Sequence, residues 1–124
     1  FITPKKILIA YNGSEESKKI LTTAVRNPIF KDVTRDIVNI NDDKLFSEKI
    51  LDEAKKIYAK SEIDIKTSVL SGDAKTEILT YMYENDCDIL AMGAFGHSRI
   101  KEFIFGSFTS EIIAQSKKPI LFYR

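Results

Sequence analysis

Five short apolar runs, separated by segments of helical spacing, constrain this chain more than any other feature. The runs are Ile7–Ala10, Ile37–Ile40, Ile63–Leu70, Ile89–Met92 and Ile120–Phe122. Four are apolar nearly throughout, the pattern of strands buried on both faces of a parallel sheet. The third alternates at first, through Ile63 and Ile65 to Thr67 and Val69, as a strand with one more exposed face does. Between the runs, apolar residues line up as helical stripes. They are Ile20, Leu21, Ala24 and Val25; Phe46, Ile50, Ala54, Ile57 and Tyr58; Ile78, Leu79, Met82 and Tyr83; and Phe108, Ile112 and Ile113. Strict strand–helix alternation predicts an α/β fold, a single doubly wound domain with a five-stranded parallel sheet and helices on both faces. Pro28 and Pro119 stand at element edges, where proline is tolerated.

Length and composition suit one such domain. A chain of 124 residues is near the commonest domain size and can bury a sizeable core. Residues 1–4 are expected to be a tail or linker remnant and residues 5–124 the domain. With 19 basic and 18 acidic residues interspersed, the net charge is +1, and no charged block offers a nucleic-acid footprint or a membrane anchor. The single cysteine, Cys87, suits a reducing compartment, so a cytoplasmic location is expected. No apolar run approaches a membrane span. The chain begins at Phe1 rather than methionine, which allows it to be one half of a longer, tandem protein.

In a doubly wound sheet, ligands bind beyond the carboxyl ends of the strands, where strand order reverses. The segments found there are "YNGSEES", "NDD", "SGDAK" and "GAFGHSRIKEFIFGS". Three of the five glycines fall in the last of these, at Gly93, Gly96 and Gly106, and Ser107 follows at a helix N-cap position. Glycine lets backbone amides lie against a ligand, and a helix N-terminus with its free N–H groups suits an anion. The loop is neither a Walker A sequence nor a GxGxxG fingerprint. On the residues alone, phosphate binding and plain turn geometry both remain open.

At these positions the sequence resembles the universal stress protein family, whose ATP-binding subclass carries glycine, two residues, glycine, nine residues, then glycine and Ser or Thr. Gly93, Gly96, Gly106 and Ser107 match that spacing, with "AF" and "HSRIKEFIF" between them. "KKILIAYNGSEES", "DILAMGAFGHSR" and "GSFTSEIIAQSKKPILFYR" resemble the family's first strand and turn, fourth strand and loop, and last helix and strand. The resemblance implies a Rossmann-like fold of the adenine nucleotide alpha hydrolase-like kind. It also implies a site for ATP or another adenine nucleotide with Mg²⁺ carried on the phosphates. Ala10, Tyr11 and Asn12 would meet adenosine, and Ile40 the adenine edge. Met92 and Gly93 would flank the ribose and first phosphate. Phe95, Gly96, His97 and Ser98 would surround the triphosphate, with Gly106, Ser107 and Phe108 at its far end. Two positions depart from the family pattern. Asn12 stands where Asp is usual, and Phe95 stands where a polar residue or tyrosine is more common. The resemblance further implies a homodimer through Pro119–Arg124, whose strand has no successor to cover its edge.

Other residues carry competing readings. His97 is either a phosphate donor or a solvent-facing side chain, since a general base needs an orienting partner and none is evident. Lys75, Arg99 and Lys101 either cover the phosphates or are solvated. Ser14, Glu15 and Glu16 read as a helix N-cap and acidic first turn, and Asp42 and Asp43 as a loop and helix start. The carboxylates flanking Cys87 are expected to raise its pKa. Ile100, Phe103 and Ile104 suggest a short packed segment that acts as a lid. The expected function is a small stress-response or regulatory protein whose nucleotide changes its conformation. No catalytic residue is assigned, and slow hydrolysis of bound ATP stays open. The competing function is a nucleotide-free dimerisation or scaffold module. Neither nucleic acid nor membrane is expected as a partner.

Overall fold

The computed structural model of the protein describes residues 5–13, 18–22, 33–59, 63, 65–93 and 114–123. Five strands, β1 (Lys6–Ala10), β2 (Thr34–Ile40), β3 (Ile65–Leu70), β4 (Ile89–Gly93) and β5 (Ile120–Tyr123), form one sheet. Two long helices accompany them, α1 (Lys44–Ala59) and α2 (Ala74–Glu84), and residues 18–22 and 114–115 are also helical. Every pairing is parallel and the strand order is β3-β2-β1-β4-β5. The predicted five-stranded, doubly wound parallel sheet is therefore observed.

Period-two alternation in β1 divides the core into two layers. Ile7, Ile9 and Tyr11 face one side, where they pack with Ile20, Leu21, Ile37 and the Leu51, Ala54 and Tyr58 stripe of α1. Leu8 and Ala10 face the other, against Ile78, Tyr81 and Met82 of α2, with Leu90 and Met92 of β4. Fully burying one such Ile or Leu contributes about 1.5–3 kcal/mol, so β1, apolar on both faces, anchors both layers. β3 at the sheet edge is only partly buried along its length, in keeping with its alternating sequence.

Three expectations shift. β2 begins at Thr34, three residues ahead of the apolar run, because Arg35 and Asp36 lie inside the sheet. Arg35 donates to the Val33 carbonyl at 2.7 Å and its guanidinium lies 5.9 Å from the centre of the Tyr58 ring. Asp36 accepts from the Tyr81 hydroxyl at 2.8 Å, with Lys6 Nζ 4.0 Å away. These contacts offset part of the cost of burying the two charges. In α1 the inward stripe is Ser47, Leu51, Ala54 and Tyr58, while Phe46 is half exposed. In α2 the inward tyrosine is Tyr81 rather than Tyr83. The expected helix of Phe108, Ile112 and Ile113, the caps at Ser14, Glu15 and Glu16, and Ala24, Val25 and Pro28 lie outside the described residues.

Candidate functional site

Strand order reverses between β1 and β4, which both neighbour each other and run onward to different sides of the sheet. In a doubly wound sheet that reversal opens a crevice past the strand ends. Ala10 stands opposite Met92 in one direction and opposite Val38 in the other, so the ends of β1, β4 and β2 lie side by side. Of the residues expected there, Ala10, Tyr11, Asn12, Ile40, Met92 and Gly93 are brought together at this end of the sheet. Phe95, Gly96, His97, Ser98, Gly106, Ser107 and Phe108 lie outside the described residues, as do Arg99, Lys101 and the Ile100–Phe103–Ile104 segment.

Those six residues do not offer the same groups. The side chains of Ala10, Tyr11 and Met92 are sunk in the two core layers. These side chains are therefore not presented at the strand ends. Asn12 is exposed and Ile40 half buried, so these two present side chains at the rim. Tyr11 still belongs to the sheet through its N–H, which donates to the Val38 carbonyl at 2.9 Å. Two residues later Gly13 turns the chain out at a φ of 83°, a left-handed conformation in which L side chains are strained.

The Tyr11 carbonyl is held from the side. Asn39 Nδ2 donates to it at 2.8 Å, and Ser47 Oγ donates to Asn39 Oδ1 at 2.6 Å, all within the buried layer beneath α1. Neighbouring loops are fastened by short polar side chains. Asn41 Oδ1 accepts from Asp43 N at 2.8 Å, and Asp43 Oδ1 caps α1 by accepting from Phe46 N at 3.1 Å. Asp42 Oδ1 accepts from Gly72 N at 3.2 Å, joining the loops after β2 and β3. Asp42 and Asp43 thus take the loop and helix-start roles expected of them. Asp73 caps α2, and the bond it accepts from the Thr76 N–H is the main reason its carboxyl sits below the usual range. Lys75 lies in the first turn of α2, beside that cap.

Among the described residues no cluster of three His, Cys, Asp or Glu side chains is arranged to hold a metal ion. Cys87 lies just ahead of β4, at the end of that strand away from the crevice. Its thiol is pushed up to about 11, first by burial and next by Asp36 of β2. The expected direction holds, but adjacent Asp88 is the least of the causes and Asp86 is not among them. Sequence reasoning missed Gly13, Asn39 and Ser47. Only Gly13 carried a local signal, as the second residue of the turn-forming Asn-Gly pair.

The model of the "Universal stress protein family" matches residues 3–124. This chain belongs to the universal stress protein family. A universal stress protein of Synechocystis sp. is 32% identical over 126 residues, covering 100% of this chain but 44% of its own length. The chain therefore spans less than half of that relative. Among solved structures, a universal stress protein in complex with cAMP superposes with a TM-score of 0.80 at 19% identity, covering 99% of this chain and 98% of the other. The universal stress protein of Archaeoglobus fulgidus in complex with dAMP superposes with a TM-score of 0.75 at 17% identity, covering 99% and 100%. At those identities the superpositions establish the shared fold. Among the described residues no helix is long and apolar enough to cross a membrane.

Proposed function

We propose that this universal stress protein domain binds an adenine nucleotide, ATP foremost, at the carboxyl ends of β1, β2 and β4. The observation that carries the reading is the sheet reversal between β1 and β4, where Ala10 pairs with Met92 and where exposed Asn12 and left-handed Gly13 follow the end of β1 as Gly93 ends β4. Gly93 opens the Gly93–Gly96–Gly106–Ser107 spacing, whose glycines and serine are residue types suited to phosphate. The fit is favourable on chemical grounds. Beside the strand ends at Ala10, Tyr11 and Met92, an amide at Asn12 and half-buried apolar Ile40 supply a polar group and an apolar wall for a nucleoside. Asn12 presents no negative charge to a polyphosphate. The adenine nucleotides held by the two solved relatives support the same ligand class.

In this reading Asn12 and Ile40 contact the nucleoside, and Gly93, Phe95, Gly96, His97 and Ser98 follow the phosphates. Gly106, Ser107 and Phe108 receive the terminal phosphate, and Mg²⁺ travels with the nucleotide. The protein acts in the cytoplasm as a stress-response regulator whose output is a conformational change that ligand binding favours. It pairs with a second copy through Pro119–Arg124.

Calorimetric titration of nucleotide-stripped protein with ATP and Mg²⁺ tests this, with Gly106→Asp as the control. The variant sets a side chain and a negative charge where the terminal phosphate belongs. The expected result is micromolar binding that the variant loses. Folded protein that binds no adenine nucleotide would sink the proposal and favour the nucleotide-free dimerisation module.

A further inference from the structure

Among the described residues, Asn39 and Ser47 are the buried polar side chains that are neither charged nor aromatic, and they are 5% and 0% exposed. Burying an amide and a hydroxyl costs free energy unless both are bonded. Two apolar residues of similar size would pack there about as well. What an apolar pair would not do is grip one particular carbonyl. Asn39 Nδ2 grips Tyr11 O, the first carbonyl past the end of β1. Because Ser47 Oγ donates to Asn39 Oδ1, the amide is oriented with its Nδ2 toward Tyr11.

Fixing that carbonyl fixes the peptide plane between Tyr11 and Asn12, and so sets the direction in which Asn12 leaves the sheet. One residue on, Gly13 lies so close to α1 that an added Cβ would stand 3.1 Å from Ile50 Cδ1. The end of β1 therefore meets α1 at two points, Ser47 through Asn39 and Ile50 through Gly13. The start of α1 follows directly on the end of β2, where Ile40 stands. From this geometry we infer that Asn39 and Ser47 are positioning residues for the nucleotide site. Their bonded pair holds the Tyr11–Gly13 segment in its binding geometry and ties that segment to α1. The inference rests on the nucleotide reading above and assigns part of its affinity to two residues that touch no ligand.

The test uses the full chain, titrated calorimetrically with ATP and Mg²⁺ well below the melting temperature of every variant. Ser47→Ala breaks the orienting bond, Asn39→Leu removes the grip, and Ser47→Thr keeps a hydroxyl. Ile78→Val, in the opposite core layer, provides a destabilised control. Losing one buried hydrogen bond corresponds to about a fivefold to tenfold weaker affinity. Ser47→Ala is expected to show that loss, Asn39→Leu at least as much, and Ser47→Thr recovery toward wild type. Ile78→Val is expected to lower the melting temperature and leave affinity unchanged. Should Asn39→Leu fail to fold, Ser47→Ala with its Thr rescue carries the test alone. Wild-type protein that binds, with Ser47→Ala binding equally well, overturns the inference and leaves the nucleotide reading intact. An equal loss in Ile78→Val also overturns it, because the effect is then one of stability. Wild-type protein that binds no adenine nucleotide removes both.

Discussion

Gly13 shows how one residue can set the direction of a binding segment. Its φ of 83° disfavours an L side chain by about 1–2 kcal/mol. An added Cβ would also press on Ile50 Cδ1, the mobile tip of a side chain, which can yield by a few tenths of an ångström. Backbone strain is therefore the larger effect. Gly13→Ala is expected to lose about 1–2 kcal/mol of stability in urea denaturation, and Gly13→Asn less, because asparagine tolerates this conformation. Equal stability of the alanine variant and wild type would show that the turn relaxes without cost. Asn39 belongs to a different class of residue, invisible in the sequence. Its partners lie 28 positions before it and 8 after it, and nothing in "IVNI" marks the asparagine as buried. Long-range polar contacts leave no periodic trace.

At the scale of elements, α1 shows both what was legible and why the rest was not. Its sequence is apolar at Leu45, Phe46, Ile50, Leu51, Ala54, Ile57 and Tyr58, a band wide enough to admit two inward faces. The stripe led by Phe46 and Ile50 is the more hydrophobic choice. The helix turns Leu51 fully inward and leaves Phe46 half exposed, while Ile50 and Ile57 pack partly buried against the same layer; Ser47 reaches Asn39 and Tyr58 donates to the Leu21 carbonyl at 3.2 Å. Those polar contacts join long-range partners, and a period count has no access to them. The start of β2 was hidden for the same reason, since Arg35 and Asp36 look like loop residues until their buried partners are known. Strand existence and the parallel sheet both followed from local patterning, which is short-range. The helix face is testable. Leu51→Ala is expected to lose about 2–4 kcal/mol, as a buried truncation does, and Phe46→Ala under about 1 kcal/mol. Urea denaturation of the two variants measures both, and a larger loss at Phe46 would reverse the assignment.

Across the whole molecule, each core layer encloses a phenol that resists ionisation. Tyr58 of α1 belongs to one layer and Tyr81 of α2 to the other, and burial is the main cause that pushes both up to about 12. Cys87, in the same layer as Tyr81, is pushed up to about 11. A folded state that holds these protons more tightly than the unfolded chain is stabilised fully below the ordinary values of 9.0 for the thiol and 10.0 for the phenols. That stabilisation drains away as pH rises toward about 11 and about 12 respectively. Urea denaturation across an alkaline pH series should show stability falling first with the thiol and more steeply with the phenols. Cys87→Ser is expected to remove the early part of the fall, and Tyr58→Phe or Tyr81→Phe to shallow the later part. An unchanged slope in all three variants would place alkaline unfolding elsewhere. The sheet's open end makes a separate demand. β5 ends the strand order, and Leu90 N donates to the Pro119 carbonyl at 3.0 Å with Leu90 opposite Ile120. In a parallel ladder alternate residues bond each neighbour, so Leu121 serves β4 while the backbone of Phe122 faces outward. If a second copy pairs there, Phe122→Pro deletes an outward donor without touching the β4 ladder, whereas Phe122→Ala keeps it. Sedimentation velocity is expected to show the alanine variant dimeric and the proline variant dissociating at roughly tenfold higher concentration or more. A proline variant as dimeric as wild type would mean that the copies associate through some other surface.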